Sequence, residues 1–171
     1  MANKVQGYGF SKEVADRLDS KYRQDDEKEL NEWFSDLGLG QPIGPGKDNF
    51  QQFLMDGQVL CSLANKLEPG AIKKVHDPSK IKIAAMRSMK CQENISFFLK
   101  WARSYGLNET DAFQTVYLYE GTNMSSVQIT LFKIGSLALS KGFSGPTIGV
   151  KVSQGNKRNF TEEQMRAGGG G

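Results

Sequence analysis

His76 is the only histidine in the 171 residues, and it sits among lysines in Lys73-Lys74-Val75-His76-Asp77-Pro78. A nucleophilic triad needs a histidine beside a serine or cysteine, and no motif marks such a partner. A zinc site needs several His or Cys ligands at short spacing, which the chain lacks. His76 therefore reads as a surface loop residue. Glu109, Asp111 and Glu120 could form an acid/base pair only in an apolar enclosure, and nothing in the sequence supplies one, so they read as solvated or capping carboxylates. Gly38-Leu39-Gly40-Gln41-Pro42-Ile43-Gly44 imitates a dinucleotide loop, but its third glycine is displaced, a proline interrupts it, and it follows a helical pattern rather than a strand. Gly149 to Lys157 lacks the Lys-Ser/Thr pair of a P-loop, and no EF-hand loop is present. Cys61 and Cys91 fall among apolar neighbours, as small core residues do.

The cations remain. Lys73, Lys74, Lys80, Lys82, Arg87 and Lys90 form one cluster; Lys151, Lys157 and Arg158 form a second beside Phe160. The net charge of +3 conceals their placement. Residues 1–140 carry 17 basic and 17 acidic side chains, so the whole excess lies in the C-terminal tail. Within the neutral part, residues 66–103 hold nine basic and three acidic residues, while the first 36 hold six and nine. A basic strip and a basic tail on a neutral body suit an acidic partner surface. Charge alone fits an ordinary solvated surface equally well.

The elements that would carry these groups are helical. Ser11 can cap a short helix bearing Val14, Leu18 and Tyr22. Asp25 or Asp26 can start the next, where Leu30, Trp33, Phe34 and Leu37 make an i, i+3, i+4, i+7 stripe ending at Gly38. A Gly/Pro-rich loop follows to residue 48. The apolar spacing of Phe50, Phe53, Leu54, Leu60, Leu63, Ala64 and Leu67 predicts one central helix over about 50–67, marked at its end by Asn65 and Pro69. Gly57 inside it costs about 1 kcal/mol against alanine, which suggests another backbone packing close. Residues 70–88 read as a basic connector with a short helical turn near Ser79–Met86. A long helix over about Lys90–Tyr105 carries Ile95, Phe98, Leu99, Ala102 and Tyr105 on one face and Phe97 and Trp101 on the next. A short helix over Asn108–Val116 places Phe113 inward. A last helix carries Met124, Val127, Leu131, Ile134 and Ala138, capped near Thr122 or Asn123. No alternating run of useful length appears, so the fold class is all-α. After Lys141 the glycines leave only loop, with a short helical start at Thr161, and so few apolar residues can hold little core.

Several separated blocks resemble the calponin-homology domain, and in particular its transgelin and calponin branch. Asp56-Gly57-Gln58-Val59-Leu60-Cys61-Ser62-Leu63-Ala64-Asn65-Lys66-Leu67-Glu68-Pro69 is similar to the domain's central helix. Trp33 resembles the tryptophan of its first helix, and Met89 to Ile95 the start of its later long helix. Phe113-Gln114-Thr115-Val116-Tyr117-Leu118-Tyr119-Glu120 resembles the Phe-Gln-Thr-Val-Asp-Leu-Tyr-Glu block, with Tyr117 in place of the aspartate. Any role resting on that carboxylate does not carry over. Lys157-Arg158-Asn159-Phe160-Thr161-Glu162-Glu163-Gln164-Met165-Arg166-Ala167-Gly168 resembles the basic segment before the calponin repeat. The repeat itself does not follow: the sequence ends in glycines, as a truncated product or a form lacking the repeat would.

The resemblance implies one calponin-homology domain of four main helices plus short ones over residues 25–142. An N-terminal extension with a short helix covers 1–24, and a flexible basic tail covers 143–171. It implies a non-enzymatic protein that binds, bundles or stabilises filamentous actin without a cofactor or metal. Lys151, Lys157, Arg158 and Phe160 would be the tail contacts, with Lys73, Lys74, Lys80 and Lys82 as a domain contact. The alternative is a signalling adaptor whose domain docks kinases or other regulators. Nucleic acid is not an expected partner, since no zinc knuckle, RNP block or KH loop is visible. Nor is a membrane: Ile129 to Leu139 is broken by Lys133, Gly135 and Ser136. The first residues lack the apolar stretch of a secretion signal, and Ala2 is not the glycine of myristoylation, which points to the cytoplasm and its cytoskeleton.

Overall fold

The computed structural model describes Arg17 and residues 20–148. Among residues 21–148 the regular structure is six α-helices and two short 3-10 turns, with no strand. Of the expected helix from Ser11, Arg17 and Ser20 are helical, while Ser11, Val14 and Leu18 lie outside the described residues. Tyr22 from that segment is described, and its ring packs edge-on against Phe50 at 6.4 Å.

Helix α1 spans Gln24–Asp36. Asp25, Asp26 and Glu27 occupy its first turn, where carboxylates face the positive end of the helix dipole. Neither aspartate is the cap. Arg23 holds that position, and its backbone is fixed instead by the buried Gln128 side chain, which accepts from Arg23 N at 3.2 Å and donates to Arg23 O at 2.9 Å. Leu30, Trp33, Phe34 and Leu37 are buried as the stripe requires.

The central segment is two helices rather than one. Helix α2 spans Lys47–Leu54 and α3 spans Gln58–Leu67. Gly57 breaks them apart because it adopts φ +80°, a left-handed conformation that side chains disfavour. Gly57 is the N-cap of the new start, and Asp56 just before it accepts from Gln58 N through Oδ1 at 2.9 Å. The close approach expected at Gly57 is present: a Cβ there would lie 2.4 Å from Asn94 Cβ and 2.9 Å from Ile95 N. The second of the two ends at Leu67, where the sequence places the end of the segment.

The backbone approaching Gly57 belongs to α4, Ala84–Tyr105, which starts six residues before Lys90. It packs along α3, burying Ile95, Phe98, Leu99, Trp101, Ala102 and Tyr105. Where a helix over 108–116 was expected, a 3-10 turn at Glu109–Asp111 precedes a short α5, Thr115–Tyr119. Phe113 between them is 1% exposed. Helix α6 spans Met124–Ser140 and is capped by Asn123, whose side chain accepts from Ser126 N at 3.2 Å. It closes the bundle against α1 and α5.

Residues 143–148 run as loop across this body. Phe143 is half-buried on the core, Pro146 O accepts the Trp33 indole N–H at 2.9 Å, and Ile148 is buried.

Candidate functional site

The basic connector, residues 68–83, joins α3 to α4 and is tied down along its length. Asn65 reaches from α3 to clamp Ile72, donating to its carbonyl at 3.1 Å and accepting its N–H at 2.8 Å. Asn94, fully buried on α4, does the same for His76: Oδ1 accepts His76 N at 2.9 Å, and Nδ2 donates to His76 O at 3.0 Å. The same Nδ2 also donates to Asp56 O at 2.9 Å, so one amide holds the connector and the α2–α3 turn together. Asp77 then caps the 3-10 turn Pro78–Lys80, accepting from Ser79 N and from Ser79 Oγ at 2.6 Å. A buried side-chain amide with every bond satisfied specifies a unique geometry.

These bonds change the reading of His76. It is only partly exposed, with Nε2 2.8 Å from Glu93 Oε1 and its ring 5.6 Å from Phe97. The hydrogen bond from His76 holds the Glu93 carboxyl below the ordinary glutamate range. Asp77 is likewise held low, chiefly by the Ser79 hydroxyl. Cys61, packed below the connector, donates to Asn94 O at 3.3 Å; burial, reinforced by the charge of Asp56, pushes its thiol up to about 12. Among the described residues no group of three or more His, Cys, Asp or Glu could hold a metal. Glu109 is exposed and bonded to Arg103 at 2.7 Å.

The basic residues divide by what they touch. Arg87 folds back along the surface of the connector, donating through Nε to Ile81 O and through a terminal nitrogen to Lys82 O, both at 3.0 Å. Lys80 lies 3.8 Å from Asp77, and Lys90 lies 3.4 Å from Glu93. Lys73, Lys74 and Lys82 are exposed with no acidic partner among the described residues. Lys151, Lys157, Arg158 and Phe160 lie outside the described residues.

Beside Lys80 and Lys82 the structure places an apolar stripe that the sequence reading passed over. Ile83, Met86 and Met89 are 64%, 43% and 49% exposed. Their three-residue spacing sets them on one side of the first turns of α4. Its signal is legible as Ile-x-x-Met-x-x-Met, but a short turn near Ser79–Met86 and a separate helix from Lys90 split the three residues between two elements. Apolar side chains left in water beside exposed lysines form a face suited to a partner with acidic and apolar patches.

The calponin homology (CH) domain family matches residues 24–140, which takes in every helix from α1 to α6. The chain belongs to that family. Calponin-2 of Mus musculus is 42% identical over 167 residues, covering 97% of this chain and 51% of that protein. Calponin-2 of Homo sapiens is also 42% identical, with 97% and 50% covered, so the chain spans about half the length of these relatives. Among solved structures, the CH domain of Rng2 from Schizosaccharomyces pombe superposes with a TM-score of 0.57 at 24% identity, covering 83% of this chain and 82% of its own. The CH domain of an IQGAP protein from the same yeast gives 0.59 at 24%, with the same coverage. The last two establish the helical fold alone. This CH domain departs from the branch's Phe-Gln-Thr-Val-Asp-Leu block at Tyr117, which is partly buried against the core. No described helix is long and apolar enough to cross a membrane.

Proposed function

We propose that this CH-domain protein is a calponin-type, actin-associated component of the cytoplasmic cytoskeleton that binds filaments without catalysing a reaction. Its membership in the CH family and its likeness to calponin-2 support the class. The observation that carries the domain's share is the exposed Ile83–Met86–Met89 stripe with Lys80 and Lys82 immediately before it. An actin filament is an acidic, repeating surface. Lysines would steer and orient the encounter, while the three apolar side chains would supply contact that salt does not screen. In this reading Lys73 and Lys74 extend the cationic side. The tail residues Lys151, Lys157, Arg158 and Phe160 form a second contact. Two linked contacts raise avidity on one filament or bridge two, which is the basis for bundling.

Co-sedimentation with filamentous actin tests the reading directly. Reversing Lys73, Lys74, Lys80 and Lys82 to glutamate should weaken pelleting and flatten its salt dependence, and Met86→Gln with Met89→Gln should weaken it with little effect on salt dependence. Helical circular dichroism should stay intact in both. Unchanged pelleting by both variants assigns the connector to solvated surface. Failure of the intact chain to pellet at low salt overturns the filament reading.

A further inference from the structure

Two turns and more beyond the apolar stripe, on an adjacent face of α4, the connector and the helix flank an open groove. It has a volume of about 480 Å³. Ile72, Phe97 and Trp101 form its floor, and Lys73, Lys74 and Lys100 stand around its rim. Ile72 and Phe97 are half-buried, and Trp101 is buried, with its indole N–H donating to Glu68 Oε1 at 2.8 Å. Ser104 also lines the groove, but its hydroxyl donates to Trp101 O at 2.8 Å. The floor thus asks for an apolar side chain. The rim asks for carboxylates: all three lysines are exposed, none has an acidic partner among the described residues, and no Asp or Glu lines the groove.

We propose that this groove docks an acidic peptide segment of a partner protein, one aromatic or aliphatic side chain entering over Ile72, Phe97 and Trp101 while flanking carboxylates meet Lys73, Lys74 and Lys100. The volume falls in the range of sites built to enclose side chains or small ligands. A free phosphate or lipid headgroup would use the rim and leave the apolar floor wet. A nucleobase needs an open ring face, and Trp101, 6% exposed, is already stacked on Tyr105 at 4.6 Å. The floor is also rigid where it matters, because Asn65 clamps Ile72 on both its backbone groups. Preorganisation of that kind lowers the entropy cost of binding.

The test uses the full chain and a labelled dodecapeptide of alternating Glu and Asp with one central Phe, read by fluorescence anisotropy and by amide and indole NMR shifts. Saturable binding is expected, with shifts centred on Ile72, Phe97, Lys100 and the Trp101 indole. Lys100→Glu should weaken it by up to roughly fivefold, the upper end for one exposed ion pair, and added salt should weaken it further. Replacing the peptide's Phe by Ala should cost a further several-fold. Filament pelleting by Lys100→Glu should be unchanged, so this proposal and the filament reading fail separately. Equal affinity for the Phe-free peptide reduces the groove to non-specific charge and overturns the proposal. Shifts centred elsewhere overturn it too, as does saturation of the same residues by phosphatidylserine vesicles but not by peptide.

Discussion

At Gly57 two constraints meet in one residue. Its φ of +80° is costly for any side chain, and the space where a Cβ would stand is filled by Asn94 and the α4 backbone. Gly57→Ala should therefore destabilise by more than about 2 kcal/mol: the left-handed backbone alone costs ~1–2 kcal/mol, and a Cβ only 2.4 Å from Asn94 Cβ must push α4 away. Urea titration checks this, and a loss under about 0.5 kcal/mol would show that α4 yields freely. Glu93 makes a different, pH-dependent prediction. Its bond to His76 holds its carboxyl below the value it has in the unfolded chain. The stability it contributes is present above the ordinary glutamate pKa and is lost as pH falls through the lowered folded value. Glu93→Gln should remove that part of the acid limb and leave the rest of the pH profile superimposable. An unchanged acid limb would mean the His76–Glu93 bond is not populated in solution.

The helices themselves were largely legible, because each buries one periodic stripe and period is what a sequence displays most plainly. Leu60 illustrates this: its place in the Leu60/Leu63/Ala64/Leu67 pattern put it at the centre, and it is fully buried. Leu60→Ala should cost about 2–5 kcal/mol in denaturant titration, and a value near zero would contradict its burial. What periodicity could not show is where tertiary contact overrides it. Phe50 and Leu54 continue the spacing of α3 across Asp56-Gly57, so the two helices read as one. Only Asn94, 37 residues beyond Gly57, makes the break necessary. The start of α4 was hidden for the opposite reason: its first turns bury little, so they carry no inward stripe to count. The connector's basic character was plain in composition. Its division was not, since Arg87 is engaged by backbone carbonyls while Lys73, Lys74 and Lys82 stay free of acidic partners among the described residues. Those partners are fixed by the path of the connector, which depends on Asn65 and Asn94.

For the molecule as a whole, the packed body reaches beyond Gly142 to Ile148. Pro146 O receives the indole N–H of Trp33, itself 2% exposed, and Ile148 is 6% exposed within the same core. A chain ending at residue 142 loses both. An orphaned buried donor costs about 1–3 kcal/mol and a buried isoleucine about 1.5–3 kcal/mol, less whatever water and repacking recover. A chain ending at 148 loses neither. Tryptophan fluorescence in urea should therefore place the shorter form at least about 2 kcal/mol below the intact chain, with the 148-residue form within about 0.5 kcal/mol of it. Filament pelleting tests the rest of the tail. The 148-residue form lacks Lys151, Lys157, Arg158 and Phe160. If these carry the tail contact, it should bind more weakly and with a shallower salt dependence, since exposed charges are screened over roughly 8 Å at physiological ionic strength. Equal pelleting at matched salt would take the tail out of the interface and leave Lys80, Lys82 and the Ile83–Met86–Met89 stripe to account for filament binding.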